Sequence, residues 1–360
     1  YHQALLDGKR PTTVFTDFLK DERLKEGKDT RLINGSSFEY TLEIRRYFLA
    51  FVSAFKARRF ENMVGIGMNV HGPDVTELVN HLRSKGNDFI CGDYSAFGPS
   101  LDPSAVFQMS RLVNAWYDRY AEGNTQLDND IRTNLLLDAA NSIHLANNLF
   151  YQLFCGSPSG SPLTDVTNSY VNLRYICRAW LHLTRPMPHL NSLSALRELL
   201  AIVVYGDDLV IATSPQVSEF FNNQTMSDYF ASIGIRYTDA TKTGTEPFCD
   251  LDKATFLKCN FIPHPTRKGQ WLAALDWKCV QETPAWIRKS NNNTAATVEN
   301  CHAALQLAHG HGPDQYKLLE RKVTEALREI DIPFSAPTWA QLDRNFFDSS
   351  DFGFTPLTFI

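Results

Sequence analysis

Three carboxylates, Asp93, Asp207 and Asp208, are the residues of this chain whose types and spacing point most directly to chemistry. Asp207 and Asp208 stand side by side between two apolar runs, 201–205 and 209–212, rich in β-branched residues. Gly206 and Asp207 read as the tight turn of a hairpin joining two buried strands, which leaves both acids at its tip. Adjacent carboxylates repel and resist desolvation, a placement that makes sense where a divalent cation neutralises them. The stretch alone is also that of an ordinary turn with a surface Asp, so partners elsewhere decide. Asp93 ends a second short apolar strand, before Gly98 and Pro99 break the run. Asp102 is explained as a helix N-cap ahead of Pro103, whereas Asp93 has no such duty. If the two strands are neighbours, the acids can hold two Mg²⁺ ions, one activating an attacking hydroxyl and one stabilising leaving phosphate oxygens.

Other groups match that chemistry. Residues 20–33 form the one dense basic segment; Arg31 suits bidentate contact with a triphosphate, with Lys20, Lys25 and Lys28 as point charges, although interleaved acids also fit a solvated face. Thr164 and Asn168, four apart on a predicted helix 163–183, share one face and can aim at a ribose, or bond back onto their own helix. Lys242 is either a surface lysine or a general acid for a leaving pyrophosphate. Lys258, in an alternating strand predicted over 255–261, can reach a backbone phosphate.

The elements that must carry these groups follow from apolar periodicity. Helices are predicted over 36–60, from Pro103 onward, 217–233 ended by Gly234, 297–309 and 313–330, the last with a core stripe of Tyr316, Leu319, Val323, Ala326 and Ile330. Residues 124–150 read as an insertion between two parts of the central sheet, and the Gly-spaced run 64–69 as a turn without chemistry. His309 and His311 are too sparse for a metal site.

Composition bounds the rest. At 360 residues the chain can bury a large core in two or three subdomains, and a net charge of −5 gives no global nucleic-acid signature, so any polyanion must meet a local basic surface. The seven cysteines show no CxxC pairing and read as reduced, buried thiols of a cytosolic protein. No apolar run is long enough to span a bilayer, and no signal peptide is visible.

Together these motifs resemble the RNA-dependent RNA polymerases of positive-strand picorna-like viruses: the basic segment 20–33, Asp93-Tyr94, Ser159-Gly160 with Thr164 and Asn168, Tyr205-Gly206-Asp207-Asp208, Lys242, and Phe256-Leu257-Lys258. The wording from Asp93 to Pro99 is most similar to that of insect-infecting iflaviruses. The resemblance implies an α+β right-hand fold with an antiparallel palm sheet flanked by helices, fingers and a helical thumb. It divides the chain into partial fingers 1–50, palm 51–134, a fingers insertion 135–153, palm 154–266 and thumb 267–360. It implies Asp93 and Asp207 as principal ligands of Mg²⁺ (or Mn²⁺), with Asp208 assisting. It further implies Ser159 and Gly160 as a mobile loop governing template and nucleotide entry, Asn168 and Thr164 on the ribose, and Arg31 and Lys20 on the triphosphate. Lys242 would be the proton donor and Lys258 would lie near the primer. The implied partners are an RNA template and primer, ribonucleoside triphosphates, a protein primer and other replication proteins, in host cytoplasm at replication membranes.

Two departures stand out. Many of these polymerases carry a second Asp five residues after the first, where this chain has Gly98, and only 19 residues precede Lys20, fewer than complete fingertips need. The second departure motivates an alternative, an RNA-binding polymerase core without turnover. A reverse transcriptase is the third reading, opposed by Gly206 and by the Thr164/Asn168 pair.

Overall fold

The computed structural model describes residues 1–22, 24, 26–27, 29–98, 101–240 and 246–348. The chain opens with α1 (His2–Leu6), β1 (Val14–Leu19), β2 (Leu32–Gly35) and the long α2 (Phe38–Ala57). Next come α3 (Asp74–Arg83), β3 (Asp88–Tyr94), α4 (Pro103–Tyr120), α5 (Gln126–Ala140) and the hairpin β4 (Ile143–Ala146) and β5 (Leu149–Gln152). The middle holds α6 (Thr164–Leu183), α7 (Leu193–Leu199), β6 (Leu200–Tyr205), β7 (Asp208–Thr213), α8 (Asn223–Ser232) and β8 (Tyr237–Asp239). The last part is β9 (Thr255–Phe256), β10 (Cys259–Pro263), β11 (Trp271–Leu275), α9 (Trp277–Glu282), α10 (Asn293–Ala308), α11 (Gly312–Arg328) and α12 (Trp339–Phe347).

The central sheet is antiparallel with order β6-β7-β3-β8. Its strands read as continuous apolar runs because both faces are buried. Ile90, Ile202, Val204, Leu209 and Ile211 face the core shared with α4, α6 and α8, while Phe89, Cys91, Ala201, Val203, Val210 and Ala212 face α3 and the β9–β10 hairpin. A second sheet, β2-β1-β4-β5, joins β1 to β4 in parallel. The third, β11-β10-β9, leads into a lobe where α10, α11 and α12 share a separate core that includes Leu305, Tyr316, Leu319, Trp339 and Phe346. This is the expected α+β architecture: palm, fingers sheet and helical thumb. The expected divisions at 50/51 and 134/135 fall inside α2 and α5, and that at 266/267 falls between the paired β10 and β11.

Several local expectations are corrected. Residues 255–261 are not one strand but a tight hairpin, with Leu257 and Lys258 at positive φ (54° and 62°) and Phe256 paired with Cys259. Two consecutive positive φ values are the type I′ pattern, which alternation alone does not reveal. Helix α8 starts at Asn223 rather than 217, because Asn222 and Thr225 form a capping box. The α11 stripe runs through Leu327, which is buried; Ala326 is exposed and Ile330 lies beyond the helix, 62% exposed. Helix α10 begins earlier than predicted, at Asn293 capped by Asn292. Of the seven thiols, none of which forms a disulfide, Cys155 and Cys279 are exposed rather than buried. Asp102 does cap α4, accepting from Ser104 N–H.

Candidate active site

Asp93 lies one residue beyond the Gly92–Leu209 pair of β3 and β7, and extending that antiparallel register sets Asp93 opposite Asp208. Tyr205 pairs with Asp208 across a two-residue turn, with Gly206 at φ 63°. The left-handed conformation at the first turn position accounts for glycine there. The three acids therefore share one end of the palm sheet, with Asp93 and Asp207 exposed and Asp208 half-buried.

Asp208 is tied down: Leu257 N–H donates to its Oδ2 at 2.5 Å and Leu209 N–H to its Oδ1 at 3.1 Å. Burial, against the pull of the Leu257 N–H bond and reinforced by the charges of Asp207 and Asp93, pushes its carboxyl up to about 6. Among the described residues no three His, Cys, Asp or Glu side chains close tightly enough to hold a metal ion alone.

Helix α6 braces the hairpin tip with two residues, Ser169 and Asn172, that the sequence alone does not single out. Gly206 N–H donates to Ser169 Oγ at 2.8 Å, and Asn172 Nδ2 donates to the carbonyl of Gly206 at 3.1 Å. Tyr94 OH donates to Asn172 Oδ1 at 3.1 Å, linking the strand of Asp93 to the same helix. The spacing of Asn168 and Asn172, one turn apart, is the signal in the sequence that could have found the second.

Asn168 sits at that tip: a Cβ added to Gly206 would lie 4.0 Å from Asn168 Cβ, and its Oδ1 is buried without a hydrogen-bond partner. Thr164 does not stand beside it as an open group. Its hydroxyl lies 2.7 Å from the carbonyl of Pro158 and 2.8 Å from that of Ser161, closing the loop ahead of α6. Ser159 and Gly160, in that loop, are laid against β2, with Gly35 and Gly160 forming a parallel bridge.

Arg31 and Lys20 converge on Glu22. Arg31 grips it in bidentate fashion through Nε (2.7 Å) and Nη2, and Lys20 Nζ lies 3.3 Å away. The Glu22 bond, with Asp207's charge adding to it, holds the Arg31 guanidinium above its usual range. Lys258 is exposed at the β9–β10 tip, one residue from the N–H that Asp208 holds. Lys242, Lys25 and Lys28 lie outside the described residues.

Comparison with known proteins identifies the family. The family model for viral RNA-dependent RNA polymerase matches residues 2–327. The chain is 33% identical over 347 residues to the genome polyprotein of Deformed wing virus, covering 93% of this chain and 12% of the polyprotein. It is 30% identical over 346 residues to the genome polyprotein of Ectropis obliqua picorna-like virus, covering 95% of this chain and 10% of that one. A solved Sicinivirus 3Dpol RNA dependent RNA polymerase superposes with a TM-score of 0.80 at 19% identity, covering 96% of this chain and 69% of the other.

Proposed function

The chain belongs to the viral RNA-dependent RNA polymerase family, and from that premise we propose that it copies RNA by transferring nucleotidyl groups from ribonucleoside triphosphates to a primer 3′-hydroxyl. In that reaction the hydroxyl oxygen attacks the α-phosphorus and pyrophosphate leaves. The supporting observation is the meeting of Asp93 with Asp207 and Asp208 at one end of the palm sheet. Asp93 and Asp207 are the residues that would hold Mg²⁺ (or Mn²⁺), because both are exposed, and Asp208 assists from its anchored position. When bound, that ion acidifies the attacking hydroxyl and offsets charge on the leaving phosphates.

The remaining roles rest on position. Asn168 Oδ1, buried and unpartnered, reads the ribose 2′-hydroxyl. Arg31 and Lys20 exchange Glu22 for the triphosphate, and Lys258 meets the primer backbone. Lys242 is the proton donor by family resemblance. The partners are RNA template and primer, with a protein primer and other replication proteins, in host cytoplasm at replication membranes. Among the described residues no helix is long and apolar enough to cross a membrane.

The test is primer extension on an RNA template with Mg²⁺, comparing the chain with Asp207→Ala. Incorporation that depends on Asp207 supports the reading; equal incorporation defeats it. A second reading is an RNA-binding core without turnover. Equal and negligible incorporation with salt-sensitive RNA binding would favour that second reading.

A further inference from the structure

We propose that Asn34 is a positioning residue for the Ser159–Gly160 loop, and that a buried cluster of Asp17, His144 and Tyr151 fixes the orientation in which it acts. The inference deepens the polymerase reading and rests on it for its functional consequence.

The loop meets the fingers along residues 34–36, at the end of β2. Asn34 N–H donates to Ser159 Oγ at 3.0 Å, and Ser159 N–H donates to Asn34 Oδ1 at 3.2 Å. Ser36 Oγ donates to the carbonyl of Gly160 at 2.9 Å. The approach is close enough that a Cβ at Gly160 would meet the Asn34 carbonyl oxygen at 2.0 Å. The rest of the loop belongs to the palm: Gly156 N–H and Ser157 N–H bond to the carbonyls of Leu101 and Gly98, and Thr164 closes its far end. Ser159 therefore bridges fingers and palm, and Asn34 is its fingers-side partner.

Behind Asn34 lies an arrangement costlier than packing requires. Asp17 on β1 has its side chain fully buried and receives Asn34 Nδ2 at 2.6 Å, His144 Nδ1 at 2.9 Å and the hydroxyl of Tyr151. An apolar residue at this site would avoid the desolvation cost of a buried carboxylate. A carboxylate only accepts, so it dictates which end of the Asn34 amide faces it and leaves Oδ1 free for Ser159 N–H. It requires a proton on His144 Nδ1 as well, and Nε2 shares a 2.7 Å hydrogen bond with Ser142 Oγ. The order Ser142, His144, Asp17 has the polarity of a hydrolase triad, but Ser142 is 1% exposed and offers a substrate no approach. His144 is further locked by stacking on Tyr151 and Phe15.

Exchanging the two polar partners tests the assignment. Asn34→Asp places two carboxylates where one 2.6 Å hydrogen bond stood. The pair Asp17→Asn with Asn34→Asp restores a donor facing an acceptor and still leaves an acceptor for Ser159 N–H, with the second N–H of the new amide donated to His144 Nδ1 as the imidazole moves its proton to Nε2. Expected for Asn34→Asp, and for Asn34→Ala as a second variant, is about tenfold faster hydrogen exchange at the Ser159 amide, the factor that the net worth of one hydrogen bond corresponds to. The KM for nucleotide should rise with little change in RNA affinity. The exchanged pair should recover both readouts. Unchanged Ser159 exchange in both single variants, or an exchanged pair no better than Asn34→Asp, overturns the proposal. Amide exchange needs no turnover, so the Ser159 amide reports on Asn34 even in a chain that fails primer extension.

Discussion

The carboxylate of Asp208 accepts the backbone N–H of Leu257 at 2.5 Å, which ties the tip of the acidic hairpin to the turn that presents Lys258. Two parts of the site distant in sequence are thereby held in one frame. The turn it secures is strained, because neither Leu257 nor Lys258 is a glycine and both adopt positive φ.

Removing that acceptor should cost stability. Asp208→Ala leaves the Leu257 N–H unpaired in a partly buried setting and is expected to destabilise by about 1–3 kcal/mol, whereas Asp208→Asn, which keeps an oxygen for Leu257 N–H and gives up the Leu209 bond, should cost less. Denaturant unfolding of the two variants without divalent cations checks the difference.

Gly92, next to Asp93, should tolerate no larger residue. A Cβ there would fall 2.1 Å from Cζ of the Tyr237 ring, which is itself buried against Tyr94 and Phe230. Gly92→Ala is expected to destabilise by about 3 kcal/mol or more, and Gly92→Ala with Tyr237→Leu to recover part of it. Thermal unfolding of the single and double variants measures the coupling.

Asn168→Ala should reduce discrimination between ribonucleotides and deoxynucleotides while leaving template affinity unchanged. Competition between the two substrates in primer extension reads this directly. Gly98 matters to the same result: among the described residues, a Cβ at Gly98 meets nothing within 4 Å. Gly98→Asp is therefore expected to fold normally, and its discrimination shows whether a carboxylate there adds to ribose reading.

Acid should loosen the thumb. His309 is 1% exposed, stacked on Trp339 and bonded to Asp343, which also receives His264 and Arg267. Burial, against the pull of Asp343 and with the charges of His264 and His71 adding to it, lowers His309 to about 4. The unfolded chain binds that proton more readily, so stability falls as pH drops from about 6.5 towards 4, by about 3 kcal/mol for this group. Asp343 is held below its usual range; burial opposes this, and bonds from Arg267, His264 and His309 outweigh it, so the loss continues at lower pH. His309→Gln should flatten the upper part of the curve, measured by unfolding across that interval.

The three acids were legible because strand-end carboxylates beside apolar runs have few structural explanations, and the palm hairpin because β-branched runs flank a Gly-Asp pair. Asp102 was legible for the same reason in reverse, since Pro103 supplied its structural duty. What escaped the sequence depended on partners remote along the chain. Thr164 looked open until Pro158 and Ser161 were placed beside it, and Ser169 and Asn172 looked like ordinary helix residues until Gly206 lay across them. The 255–261 hairpin escaped because Leu257-Lys258 carries none of the residues that usually mark such a turn.

The parallel pairing of β1 with β4 bears on how the chain comes into being. Val14 finds its neighbour only at Ile143, so the fingers sheet is left half-made until the first palm strand and the four helices α2 to α5 have emerged from the ribosome. During vectorial synthesis that early edge, with Phe18 56% exposed even in the finished molecule, has no strand to pair with on that side and invites capture by a neighbouring nascent chain.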